Sequence, residues 1–132
     1  MMTTRILLLS DIHGNYPALR AIDRELDSGS FDLIINCGDS LVYAPFPNRT
    51  LSWLRSRRTR SILGNTDKKV IQLLRGKSFK KPRKVDKRVM YTSTAESLTP
   101  ENCRFLLSLP KADRLILDST NLVDQSANDT IG

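Results

Sequence analysis

The chain has 132 residues, the length of one domain, enough to bury a single core and short for a large two-layer enzyme. Its formal charge of +7 and pI near 9.8 favour anionic partners such as phosphates or nucleic acid and do not choose among them. The early apolar run Ile6 to Leu9 is too short for a signal-peptide core and breaks at Asp11, and no stretch reaches the length of a membrane span, so a membrane role is excluded and a cytoplasmic protein expected.

Ile6 to Leu9 shows no polar alternation, which predicts a strand covered on both faces, as in a parallel sheet. It stops at Asp11, at His13, the one histidine of the sequence, and at Gly14. Asn15 is placed to cap a helix whose first turn tolerates Pro17 and whose apolar face carries Leu19, Ile22 and Leu26, with Gly29 ending it. Leu33 to Ile35 is the second expected strand, followed by Cys37-Gly38-Asp39, and the spacing suits a right-handed crossover between parallel strands. Cys37 and Cys103 lack a CxxC spacing and are expected as reduced core residues.

The segment from Ser40 to Pro47, with Tyr43, Pro45, Phe46 and Pro47, is too rich in proline for a strand and too apolar for a solvated linker, so it is expected to fold over the neighbouring loops. Leu51 and Leu54 have helical spacing beside Trp53. A basic run, Arg55, Arg57, Arg58 and Arg60, then leads into a third strand, Ser61 to Leu63, and the turn Gly64-Asn65-Thr66-Asp67. Val70, Ile71, Leu73 and Leu74 predict a short helix ending near Gly76. From Lys77 to Arg88 basic residues surround the single acid Asp86, with Pro82 among them, so an exposed basic loop or helix entry is expected. Thr99-Pro100-Glu101 starts a helix with Phe105, Leu106 and Leu109 on its apolar face, and Pro110 stops it. Leu115 to Leu117 is a further candidate strand, and the polar stretch 118–132 is expected to be a disordered or non-native tail, leaving 1–117 as the domain.

In open α/β sheets ligands bind beyond the carboxyl ends of the strands, so Asp11 and His13, Asp39, and Asn65 can converge on one crevice. Carboxylate, imidazole and amide oxygens together suit Mn, Fe or Zn. Taken singly, each of these motifs is an ordinary loop or turn. The common position after three apolar strands is what makes them a candidate metal set.

Asp11-Ile12-His13, Gly38-Asp39 and Gly64-Asn65-Thr66-Asp67 resemble the DxH, GD and GNxD blocks of the calcineurin-like metallophosphoesterases, in particular the small bacterial and archaeal phosphodiesterase branch. The resemblance implies a layered α/β fold with a parallel β-α-β-α-β core and flanking helices. It implies that Asp11 and His13 bind one divalent ion, that Asp39 bridges two, that Asn65 binds the second, and that Asp39 and Asn65 serve catalysis. The ions would be Mn before Fe, Zn, Ni or Mg, and a bridging hydroxide would attack the phosphorus of a phosphodiester or phosphomonoester. Many members place a histidine where this chain has Thr66, and later blocks of the family supply further histidine ligands that this sequence lacks. The resemblance is therefore to the amino-terminal part of such an enzyme, and a truncated chain is expected. The alternatives are a catalytically inactive relative and a nucleic-acid or phosphate-binding module built on the two basic runs.

Overall fold

The computed structural model describes residues 3–78, 83–117 and the backbone of 122–124. Three short strands, β1 (Ile6–Leu9), β2 (Leu33–Asn36) and β3 (Arg60–Ser61), form a parallel sheet in that spatial order. Leu8 stands opposite Ile35, and Leu9 opposite Asn36, whose neighbour on the far side is Ser61. The crossovers are helices α1 (Tyr16–Glu25) and α2 (Pro47–Ser56). This is the α/β parallel core expected from the three apolar runs, although the third strand is shorter and begins earlier than 61–63.

Local chemistry sets the helix starts. The Asn15 side chain accepts from the Ala18 amide at 3.2 Å, and Pro17 sits in the first turn, where a missing N–H costs nothing. Helix α1 ends at Glu25, before Gly29, which lies in a separate 3₁₀ turn over Ser28–Ser30. Helix α3 (Asn65–Leu74) follows β3 directly, and α5 (Pro100–Ser108) begins after Thr99, whose hydroxyl accepts from the Asn102 amide. Between them lies α4 (Val85–Ser97), a 13-residue helix. The basic stretch is its entry: Lys77, Ser78 and 83–90 are exposed, while 79–82 lie outside the described residues. The rest of α4 was missed by periodicity because its buried face is carried by Tyr91 and Thr94, and a threonine is a weak apolar signal.

The core is one cluster in which Leu19 of α1, Leu51 and Leu54 of α2, Val70 of α3, Tyr91 of α4 and Leu106 of α5 meet Leu41, Val42 and Leu63. Helix α3 packs against α4 and α2 against α5. Asn48 ties these pairs together: its amide donates to the Ser97 carbonyl at 2.8 Å, and its side-chain oxygen accepts from the Thr99 amide at 2.9 Å.

Among the described residues the sheet is not covered on both faces. Leu8 is 66% exposed, and beside it Ile35, Cys37, Ile62 and Leu115 line an open groove of about 310 Å³. Both cysteines are free; Cys37 is accordingly an exposed thiol and not the core residue expected, whereas Cys103, half-buried, packs against the core cluster. Two of the four residues of the basic run before β3, Arg57 and Arg60, are used internally, and Arg55 and Arg58 are exposed. Arg57 pairs with Asp23 at 2.6 Å and stacks on Trp53, and Arg60 pairs with Asp113 at 2.7 Å. Strand β4 (Leu115–Leu117) pairs antiparallel with β5 (Leu122–Asp124), which falls inside the stretch expected as a tail; 118–121 and 125–132 lie outside the described residues. Among the described residues no helix is long and apolar enough to cross a membrane.

Candidate metal centre

The carboxyl ends of β1 and β2 are zipped together by their own backbones. The Asp11 amide donates to the Gly38 carbonyl at 3.0 Å, His13 to Asp39 at 2.9 Å, and Gly14 to Ser40 at 2.7 Å. These bonds continue the parallel ladder past the strands, so the two loops advance side by side and deliver their side chains to one place. Ligand atoms of Asp11, His13 and Asp39 lie within 4.8 Å of one another. Asp11 is exposed, while His13 and Asp39 are half-buried.

Each of the three is held in an uncommon backbone conformation. Among the described non-glycine residues, positive φ occurs at Asp11 (54°), His13 (50°), Asp39 (57°), Val42 (72°), Tyr43 (94°) and Arg58 (52°). All but Arg58 belong to these loops. A left-handed aspartate is tolerated, but a left-handed valine or tyrosine is held there only by its surroundings.

The histidine is oriented by its other nitrogen. His13 Nδ1 faces the Leu41 carbonyl at 3.4 Å, an interaction that fits a proton on Nδ1 and leaves the Nε2 lone pair beside Asp11 Oδ1, 3.5 Å away. Ser10 donates its hydroxyl to Asp11 Oδ2 at 2.6 Å. Two carboxylates and a neutral imidazole at this spacing fit a divalent transition ion, by the chemistry of the donors and by the way second partners orient them.

The third loop closes against Asp39. Thr66 donates both its amide (3.1 Å) and its hydroxyl (3.2 Å) to Asp39 Oδ1. Where a histidine was expected from the resemblance, threonine orients the carboxylate instead. A Cβ added to Gly64 would run into the Asp39 carboxylate, so the close approach of the loops requires glycine there. Asn65 stands between these two contact residues as the first residue of α3, with its side chain exposed.

Asp67 does more than cap α3. Fully buried, it accepts from the Gly64 amide at 2.9 Å, the Leu41 amide at 3.0 Å and the Ser40 amide at 3.0 Å. One carboxylate thereby satisfies the start of α3 and the loop after Asp39 together. Burial pushes its carboxyl above the usual value of 3.8, the three N–H donors oppose that rise, and the nearby Asp39 charge adds to it. Asn36, also fully buried, donates to the Ser40 hydroxyl at 2.7 Å and the Ser61 hydroxyl at 3.2 Å, which fixes the loop from beneath. The bonds of Asp67 to Gly64 and of Asn36 to Ser40 are local, whereas those of Asp67 to Ser40 and Leu41 and of Asn36 to Ser61, 25–27 residues away, carry no local sequence signal.

The loop expected to fold over the site does so. The Ala44 amide returns to the His13 carbonyl at 2.9 Å, and the Tyr43 ring rests against the imidazole, with centroids 5.0 Å apart.

Residues 4–119 match the family model described as calcineurin-like phosphoesterase. An uncharacterized protein of Methanocaldococcus jannaschii is 29% identical over 110 residues, a match covering 83% of this chain and 44% of that protein. Among solved structures, a metallophosphoesterase from Sphaerobacter thermophilus is similar with a TM-score of 0.65 and 30% identity, over 89% of this chain and 44% of that one. A hypothetical protein from Pyrococcus horikoshii superposes with a TM-score of 0.66 at 19% identity, over 82% and 48%, a likeness of fold. The chain thus spans somewhat under half the length of these relatives.

Proposed function

This chain belongs to the calcineurin-like phosphoesterase family, and on that footing we propose that it carries the opening part of a metal-dependent phosphoesterase site acting on a phosphodiester or phosphomonoester. Asp11 and His13 hold the first divalent ion, Asp39 is shared, and Asn65 contributes to a second, with Mn the favoured metal. The observation that carries the reading is the approach of Asp11, His13 and Asp39 to within 4.8 Å at the carboxyl ends of adjacent parallel strands. Bound ions of this kind polarise phosphoryl oxygen and make water a nucleophile at neutral pH.

The chain's own residues have separate tasks. The Leu41 carbonyl holds the His13 ring with Nε2 turned to the site, and Thr66 fixes one oxygen of Asp39 so that the other is free to bind. Ligands are unevenly shared: the first ion has three donors in Asp11, His13 and Asp39, while the second has only Asp39 and Asn65. The first ion therefore binds more tightly, and hydrolysis by this chain alone is slow. A cytoplasmic setting belongs to the same reading, supported by two free cysteines.

Calorimetric titration with Mn²⁺, paired with hydrolysis of bis(4-nitrophenyl) phosphate, tests it. In the unmodified chain one site is expected to dominate, weak in itself but stronger than any second, with slow turnover that a chelator abolishes. Asp39→Asn should weaken that site by more than the roughly 10–100-fold that loss of a mere supporting partner costs. Unchanged Mn²⁺ affinity in Asp39→Asn would sink the assignment.

A further inference from the structure

Among the described residues Tyr43 is the aromatic side chain set against the metal-type cluster, and its circumstances are unusual. Leu41 and Val42 before it are completely buried, yet Tyr43 is 46% exposed. Its φ of 94° and that of Val42, 72°, lie in the left-handed region, where neither residue type is at ease. The strain is held from both sides. Asp67 clamps the Leu41 amide, and the Ala44 amide is bonded to the His13 carbonyl, so the two-residue excursion has no freedom to relax. The ring itself is fixed twice, tilted by 53° against the His13 imidazole at 5.0 Å and edge-on to Tyr91 at 6.4 Å. Tyr91 comes from α4, is only 3% exposed, and shares a side-chain hydrogen bond with Tyr43.

Burial of Tyr43 does not explain this arrangement, because nearly half of the side chain remains in solvent. Strained backbone held by several independent contacts at a site of charged donors indicates a functional placement. A flat, amphipathic ring fixed beside the anion-directed end of the loops has one evident use.

We propose that Tyr43 is a substrate-contacting residue that stacks on a planar aromatic group of the phosphate ester, an aryl or nucleobase moiety, while the phosphoryl group lies at Asp11, His13 and Asp39. The inference rests on the phosphoesterase reading above and specifies its substrate class. The stacking surface is preorganised, since His13 and Tyr91 have already removed the ring's rotational freedom, and an aromatic ligand group pays little to meet it. An alkyl ester finds no matching face there and is held by its phosphoryl group alone.

The test is calorimetric binding of phenylphosphonate and methylphosphonate, which share one anionic head and cannot be hydrolysed, to the full chain in saturating Mn²⁺. Phenylphosphonate should bind about tenfold more tightly, the order of effect that ring stacking supplies. Tyr43→Phe should keep that preference, and Tyr43→Ala should bring the ratio of the two phosphonate affinities to about one, whatever common change it makes to both. A role in loop structure alone would shift both ligands together. Tyr43→Leu, which retains apolar bulk without a flat ring, serves if the alanine variant does not fold, and should likewise lose the preference. Equal binding of the two phosphonates, or a preference that survives in Tyr43→Leu, would overturn this inference and leave the phosphoesterase reading standing. Absence of Mn²⁺-dependent binding for both would overturn that reading and this inference with it.

Discussion

The loops beyond β1, β2 and β3 and the basic approach to α4 are opposite uses of a polar segment. In the loops, polar groups answer one another across long stretches of chain: Asp67 reaches Ser40 and Leu41, Thr66 reaches Asp39, and His13 reaches Leu41. In the approach to α4, Lys77 and 83–90 face solvent, and the single acid Asp86 bonds to the amide of its own neighbour, Lys87. The first region stores left-handed backbone and buried carboxylate because each is over-determined by partners. The described residues of the second hold no buried carboxylate and no left-handed non-glycine backbone. Polarity in a sequence thus means rigidity where the partners are distant and enclosed, and tolerance where they are water.

The sharpest way to break that contrast is Asp67→Ala. It leaves two buried amides, of Ser40 and Leu41, and the half-buried amide of Gly64 without this acceptor, each worth on the order of 1–3 kcal/mol and not fully additive, so a loss of about 4 kcal/mol in folding stability is expected by chemical denaturation. A loss near that of an ordinary surface change would mean that the carboxylate does not join α3 to the loop.

Gly64→Ala comes next. Its φ of –92° is open to alanine, so the penalty arises from the methyl group meeting both the carboxylate and the backbone amide of Asp39. Overpacking of this kind costs about 1–3 kcal/mol, and displacement of Asp39 should weaken Mn²⁺ binding by a larger factor than the stability change alone suggests. Normal Mn²⁺ affinity in this variant would show that the third loop does not set the position of Asp39.

At the other extreme, joint replacement of Lys77, Lys84 and Lys87 by serine should leave melting temperature and Mn²⁺ affinity unchanged, since their side chains are solvated and lie apart from the ligands. A marked fall in Mn²⁺ affinity would place the basic segment in the service of the site and erase the distinction between the two regions.

Much of this protein was legible in the order of its residues. Apolar runs of strand length identify β1 and β2, Asn15 and Thr99 mark the helices they cap, and Asp11, His13, Asp39 and Asn65 stand out because each follows a strand. Those signals are local: a periodicity, a cap or a glycine is complete within a few neighbours. What tertiary structure alone decided is which atoms answer which. The clamp made by Asp67, the grip of Thr66 on Asp39, the ring of Tyr43 set against His13 and Tyr91, and the exposure of Leu8 depend on segments distant in the chain. A buried hydrogen bond is defined by enclosure and by a partner's position in space, and neither leaves a period or a spacing in the sequence.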